Sequence, residues 1–131
     1  MAASVSIVNK TSRRLLSNRR AIPFEKIKNR VLGERYELSL AFVGPTESRA
    51  VTRQSKHKNK ASNVLSFPLS KHTGEIIICP AVAKPYSLAY LFIHGLVHLK
   101  GHDHGATMES IEHRLLEEFG FVVHEQTNRR H

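Results

Sequence analysis

The sequence has few of the features that mark exported or membrane proteins. Its single cysteine, Cys79, has no second cysteine to pair with, which removes the usual covalent support of small secreted domains. Residues 1–14 lack the apolar core of a signal peptide, and the longest apolar runs elsewhere are soon broken by His, Lys or Gly. We therefore expect a cytoplasmic protein that is neither exported nor inserted into a membrane.

Acidic residues are scarce relative to basic ones. The 131 residues include 20 Lys and Arg but only 11 Asp and Glu, which gives a formal net charge of +9 and a pI near 10.1. Such a surface attracts polyanions, so nucleic acid is the expected partner, although a basic surface can also serve solubility alone. A hydrophobic content of 40% suffices for one packed core, and we predict a single domain over residues 1–131.

Hydrophobic patterning predicts four strands and four helices without regular alternation, which favours an α+β architecture over a doubly wound sheet. Strands are predicted at residues 5–8, 37–43, 62–69 and 74–79, the last two near the centre of the sheet, with Pro68 ending the third. Helices are predicted from Pro23 to Gly33, from Pro45 through about Arg53, from Pro85 to Gly101, and over residues 106–119. Residues 10–20 are too basic for a core and predict a surface turn or short helix.

A cationic segment follows the second predicted strand. Residues 48–60 have almost no apolar side chain after Val51 and carry five basic ones, at Arg49, Arg53, Lys56, Lys58 and Lys60. This composition predicts a solvated cationic loop, either as a contact surface for a polyanion or as ordinary surface charge.

Two histidines lie four residues apart on the longest predicted helix. His94 and His98 therefore project from the same helical face, as a metal-chelating pair does. The helix ends at Gly101, and the turn at residues 101–105 can bring His102 or His104 back to complete three imidazole ligands. Three protein ligands leave a fourth position open, which is typical of catalytic zinc.

The alternative is that these are ordinary histidines, since the chain has nine. Two buried imidazoles on an otherwise apolar helix need hydrogen-bond partners, which Leu96, Val97 and Leu99 cannot supply. The zincin motif HExxH is also incomplete, because Gly95 stands where that motif has its general base. Metalloprotease chemistry is therefore disfavoured, and reliance on a metal and nearby cations suits phosphodiesters.

The sequence HGLVHLKGHDH, residues 94–104, closely resembles the H-G-x-x-H-L-x-G-x-D-H signature of the YbeY family, the rRNA maturation RNases. NVLSFPL at residues 63–69 is similar to the family's D-V-L-S-F-P strand, and GEIIIC at residues 74–79 to its G-D-I-x-I-C strand. The likeness also covers residues 37–43 and the closing helix.

The resemblance implies a small mixed β-sheet of about four strands flanked by helices, with the metal site on the helix that ends at Gly101. It also implies a zinc-dependent, single-strand-specific endoribonuclease of the bacterial cytoplasm, with one Zn²⁺ per chain. Its role would be 16S rRNA 3′-end maturation and ribosome quality control, with ribosomal RNA and the small subunit as partners. The oligomeric state stays open.

By the motif, the zinc ligands and catalytic residues are His94, His98 and His104. His102 stands where the family usually has an aromatic residue and is not a ligand. Asp103 matches a family aspartate, which we interpret as orienting a ligand or forming the turn.

One departure from the family concerns an arginine in its Y-R-x-K-D stretch. The alignment places Lys56 there, and a lysine keeps the charge but loses the bidentate fork for a phosphate. Arg53, one helical turn earlier, can substitute. We predict Lys56 as a catalytic cation, and Arg53, Lys56, Lys58 and Lys60 as RNA-binding residues.

Two further functions compete with RNA hydrolysis. The missing arginine favours a non-catalytic, ribosome-associated RNA-binding or assembly factor in which the metal is structural. A metal-dependent amidase or peptidase is less favoured, because Gly95 removes the expected base and a charge of +9 suits RNA better than a peptide. Three imidazoles also accept nickel, copper or cobalt, and either water or the ribose 2′-hydroxyl can serve as nucleophile.

Overall fold

The computed structural model describes residues 4–12, 22–102 and 105–123. Within these ranges the chain forms four strands and four helices, in the order β1 (Val5–Asn9), α1 (Phe24–Leu32), β2 (Glu37–Phe42), α2 (Pro45–Lys56), β3 (Val64–Ser70), β4 (Thr73–Ile78), α3 (Leu88–Lys100) and α4 (Ala106–Glu118). A 3₁₀ turn, Pro80–Val82, connects β4 to α3. The surface turn or short helix predicted at residues 10–20 lies mostly outside the described residues.

The strands form a mixed sheet in the order β1-β2-β4-β3. β1, β2 and β4 run parallel, and β3 pairs antiparallel with β4. The predicted α+β fold with a four-stranded mixed sheet is therefore confirmed. The prediction that β3 lies near the centre of the sheet is wrong, because β3 is an edge strand.

That edge position explains why β3 continues through Ser70 and does not end at Pro68. A proline has no N–H to donate to a neighbouring strand. A central strand is paired on both sides and would lose a ladder hydrogen bond, whereas an edge strand or a bulge tolerates a proline. The register of the ladder also shifts between Pro68 and Ser70, as expected of a bulge.

The main core lies between one face of the sheet and helices α1, α3 and α4. Alternate residues of β2, namely Leu38, Leu40 and Phe42, are buried in it. The α1 residue Phe24 packs edge-on against Phe92 of α3, with 4.8 Å between ring centroids. α3 is buried from Ala89 through Val97, which is why its apolar residues surround the helix and do not form a stripe. Across the described ranges, no helix combines the length and apolar character needed to span a bilayer.

Both ends of α3 are defined by local hydrogen bonds. Ser87 caps the first turn, since its hydroxyl accepts from the Tyr90 N–H at 3.0 Å, so the helix begins at Leu88 and not at Pro85. At the other end Gly101 has φ +113°, a conformation that favours glycine. The helix therefore ends where the sequence predicts.

α2 differs from its predicted extent. The sequence predicts a helix from Pro45 through about Arg53 and, overlapping with it, a solvated cationic loop over residues 48–60. The helix forms as predicted but continues through Lys56. Ser48 and Thr52 are fully buried, and both bond to Ser62. These hydroxyl contacts anchor the helix where the sequence shows no apolar stripe, so the part predicted as a loop at residues 48–56 is helical.

Candidate metal centre and cationic cleft

The two candidate imidazoles of α3 lie side by side. The ring centroids of His94 and His98 are 4.6 Å apart, and the ring planes are nearly perpendicular at 87°. His94 is only 3% exposed, and His98 is half-buried. The spacing of four residues thus brings the rings together at the C-terminal part of the helix.

Each ring has its Nδ1 in a hydrogen bond. Nδ1 of His98 lies 3.0 Å from the backbone oxygen of His102, and Nδ1 of His94 lies 2.6 Å from Oε2 of Glu112. A carbonyl and an ionised carboxylate can only accept, so Nδ1–H is the donor in both rings. In metal-ligating histidines one ring nitrogen commonly donates in this way while the other coordinates the ion.

Tyr90 completes the surroundings of His94. Its ring centroid lies 5.6 Å from that of His94, and its hydroxyl is hydrogen-bonded to Glu112. Burial, with the negative charge of Glu112 as the next cause, raises the pKa of Tyr90 far above its ordinary value. The phenol therefore stays protonated and donates to the carboxylate.

Glu112 is a site residue that the sequence motifs do not indicate. It lies among the residues that α4 buries, four positions after Met108 and three before Leu115. A carboxylate at a core position of a helix is the signal that could have identified it, because buried carboxylates need partners. Asp103, which we expected to orient a ligand, lies outside the described residues.

An open cleft of about 610 Å³ adjoins the histidine pair. Its lining includes His94 and His98, together with Lys56 at the end of α2 and Lys58 and Lys60 in the following loop. The structure thus brings five of the predicted site residues to one cavity. Three exposed ammonium groups beside two imidazoles form a surface that attracts an anionic ligand.

Arg53 is placed differently. It is absent from the described residues that line the cleft, and its Nη2 donates to Oδ1 of Asn59 at 2.7 Å. The bond joins α2 to the loop that carries Lys58 and Lys60. Arg53 therefore supports that loop. Its predicted contact with RNA, and its predicted substitution for the family arginine, stay predictions.

Gly95 lies where α3 approaches the sheet most closely. A Cβ at this position would lie 3.0 Å from both Cδ1 of Ile76 and Oγ of Ser66. The Ser66 hydroxyl also donates to the Gly95 carbonyl at 3.2 Å. The residue after the first histidine thus faces β3 and β4, and a glutamate there would meet the sheet. This geometry gives a physical reason for the missing base of the zincin motif.

The donor chemistry fits a divalent cation. His104, the third predicted ligand, lies outside the described residues, and within them no group of three or more His, Cys, Asp or Glu side chains is arranged to hold a metal. His94 and His98 nevertheless have the orientation that such an ion requires, with each Nδ1 held by an acceptor.

The fold and this site define a class: a basic α+β domain in which a buried helix presents a histidine pair to a lysine-rimmed cleft. Within that class the chain belongs to the YbeY family, since the family model described as Endoribonuclease YbeY matches residues 6–120. The resemblance stated from residues 94–104 is thereby confirmed.

Individual relatives agree with this assignment. Endoribonuclease YbeY of Chromohalobacter salexigens is 37% identical over 108 residues, which cover 66% of this chain and 70% of the relative. Endoribonuclease YbeY of Pseudomonas syringae pv. syringae is 34% identical over 108 residues, covering 65% of each chain. The matches thus span about two thirds of these relatives.

A solved structure shares the fold. The solution structure of TM1509 from Thermotoga maritima superimposes with a TM-score of 0.59 and covers 88% of both chains. At 20% identity this likeness concerns the fold alone.

Proposed function

We propose that this protein is a zinc-dependent, single-strand-specific endoribonuclease of the bacterial cytoplasm. Its proposed role is 16S rRNA 3′-end maturation and ribosome quality control, with RNA of the small ribosomal subunit as substrate. The observation that carries the proposal is the shared cleft, in which an oriented histidine pair adjoins three lysines in a chain of the Endoribonuclease YbeY family. A nuclease needs a catalytic group at the scissile bond and cations that bind the phosphate backbone on either side of it.

His94, His98 and His104 are the proposed ligands of one Zn²⁺. A divalent ion held there would supply Lewis acidity at the phosphodiester and would make water easier to deprotonate. The protein's own contribution is orientation. The His102 carbonyl and the Glu112 carboxylate hold the Nδ1 atoms of His98 and His94, so Nε2 of each ring serves as the ligand.

Lys56 is the proposed catalytic cation, and Lys58 and Lys60 are the proposed backbone contacts. All three are exposed and line the same cleft as the histidines. Their ammonium groups act as point charges, so they can follow a flexible single strand without the geometry that a guanidinium imposes. We propose that Lys56 stabilises the charge that develops on the phosphate during cleavage.

The test uses protein purified without a nickel-binding tag. Elemental analysis of the wild type should give about one zinc per chain, and single-stranded RNA should be cleaved. His98→Ala should lose both the metal and the cleavage. His72→Ala, at an exposed position in the turn between β3 and β4, is the matched control and should keep both. Cleavage at the full rate by protein verified to be free of metal contradicts the proposal.

One observation favours a second candidate, a non-catalytic RNA-binding or assembly factor with a structural metal. Lys56 stands where the family has an arginine, and Arg53 is bonded to Asn59, so the described part of the cleft has no bidentate phosphate clamp. The two functions are separated by comparing wild type with His104→Ala from identical purifications. Equal residual cleavage in both identifies a contaminant and supports the binding factor, whereas loss in the variant supports the nuclease.

A further inference from the structure

We propose that Glu112 and Tyr90 are a positioning pair that fixes the orientation and tautomer of His94, so that the packing of α4 against α3 completes the metal centre. The inference rests on the proposed function in one respect only, which is that His94 is a metal ligand. It assigns a role to two residues outside the histidine motif.

The contact between His94 and Glu112 is short and removed from water. Nδ1 and Oε2 are 2.6 Å apart, and the side chains are 4% and 1% exposed. A hydrogen bond to a carboxylate is stronger than one to a neutral acceptor, and a low-dielectric surrounding strengthens it further. The imidazole is therefore held in one rotamer with its proton on Nδ1.

Tyr90 holds the carboxylate in turn. A carboxylate inside a protein is stable only when it accepts hydrogen bonds, and Glu112 accepts from the Tyr90 hydroxyl as well as from His94. Tyr90 lies one helical turn before His94 on α3 and stacks on Tyr86 at 5.1 Å. Tyr90 and His94, both on α3, thus hydrogen-bond to the same Glu112 side chain of α4.

The location of His94 distinguishes a positioning role for Glu112 from a role in core packing alone. The same ring that bonds to Glu112 also lines the cleft. A pair that served stability alone has no need to reach a solvent-filled cavity, and such pairs can often be replaced by apolar residues without loss. Here Glu112 holds Nδ1 of a residue that also lines the cleft.

The two histidines also differ in the source of their support. His98 bonds to a neutral carbonyl only four residues away, whereas His94 bonds to a charged group 18 residues away on another helix. A carboxylate raises the basicity of its imidazole more than a carbonyl does, which makes the ring a stronger ligand. We therefore expect the orientation of His94 to depend on the packing of α4.

Three variants of the full chain test the pair. Glu112→Gln keeps an acceptor but removes its charge, Glu112→Met removes the acceptor, and Tyr90→Phe removes the donor to Glu112. Glu117→Gln, at an exposed position of the same helix, is the matched control. The readouts are the ring tautomer of His94 in metal-free protein, by ¹H–¹⁵N correlation of the imidazole, and the Kd for Zn²⁺ by competition titration.

In the wild type and Glu112→Gln we expect the proton on Nδ1 of His94, and in Glu112→Met a mixture of tautomers. We expect Zn²⁺ binding to weaken about 10- to 100-fold in Glu112→Met, and less in Glu112→Gln and Tyr90→Phe. The control should match the wild type in both readouts. Glu112→Gln and Tyr90→Phe preserve side-chain shape, so the test does not depend on folding of the methionine variant.

Unchanged Kd values in Glu112→Gln and Tyr90→Phe overturn the inference, as does an Nδ1–H tautomer that persists in folded Glu112→Met. Failure of the proposed function gives a different result, because the wild type itself then binds no Zn²⁺. The tautomer measurement needs no metal and decides the positioning role in that case as well.

Discussion

Ser48 offers a direct test of how the cationic loop is held beside the histidines. Its hydroxyl donates to the backbone oxygen of Ser62 at 2.7 Å and accepts from the Ser62 N–H at 2.9 Å. Ser48 itself is fully buried. Both backbone groups of Ser62 thus depend on one side chain, and we predict that Ser48→Ala loosens the loop that carries Lys58 and Lys60.

The magnitude follows from the number of bonds lost. Two hydrogen bonds at about 1 to 1.5 kcal/mol each give about 2 to 3 kcal/mol. Alanine is the better helix former by about 0.5 kcal/mol, so the net loss of unfolding free energy is about 2 kcal/mol. With a urea m-value of about 1.5 kcal/mol/M, the unfolding midpoint falls by roughly 1.3 M.

The assay is urea unfolding followed by circular dichroism, with limited proteolysis of the loop as a local readout. Ser55→Ala is the control, because Ser55 lies on the same helix, is exposed, and bonds only within it, to the Val51 carbonyl at 2.8 Å. We expect that control to change stability by less than about 0.5 kcal/mol. If Ser48→Ala is as stable as Ser55→Ala and equally resistant to protease, the reasoning about Ser62 fails.

Three other predictions concern backbone strain, close packing and charge. His57 has φ +58° at the end of α2, so His57→Gly should raise the unfolding free energy by about 0.5 to 1 kcal/mol, measured by urea unfolding. The Cβ of Gly74→Ala would overlap the Tyr36 hydroxyl, so this variant should lose about 1 to 3 kcal/mol, and Tyr36→Phe should recover part of the loss in a thermal-unfolding cycle. Lys56→Ala should weaken single-stranded RNA binding and reduce the slope of log K against log salt by about 0.7, whereas Lys56→Arg should retain the slope.

Each of these predictions has its own contrary outcome. A neutral or negative effect of His57→Gly means that the imidazole makes a compensating contact. Additive effects of Gly74→Ala and Tyr36→Phe mean that the phenol is not the obstacle. An unchanged salt slope in Lys56→Ala means that this ammonium does not contact a phosphate in the complex.

The sequence is most informative where structure depends on near neighbours. The pairing of His94 and His98 follows from helical geometry, and the end of α3 follows from Gly101, so both features could be predicted. The strands of the sheet follow from alternating or continuous apolar runs in the same way. The residue pattern and the YbeY resemblance together therefore predict the fold class and the helix of the candidate site.

Features that depend on distant neighbours could not be predicted in this way. The hydrogen bond between His94 and Glu112 joins two helices. No residue within one helical turn of either partner indicates that they are in contact. The same holds for Ser48 and Ser62, whose contact turns part of a predicted loop into helix. The edge position of β3 is likewise set by the topology of the sheet, which strand patterns alone do not specify.

The close packing of Gly95 against Ile76 and Ser66 limits how this protein can be redesigned. Any attempt to convert it to peptide hydrolysis by adding the absent carboxylate to α3 would lift the helix from the sheet and displace both imidazoles. A new proton acceptor would have to be grafted onto the opposite wall, on the segment after α2. Redesign of this protein for a different reaction should therefore change the loop after α2 and leave α3 intact.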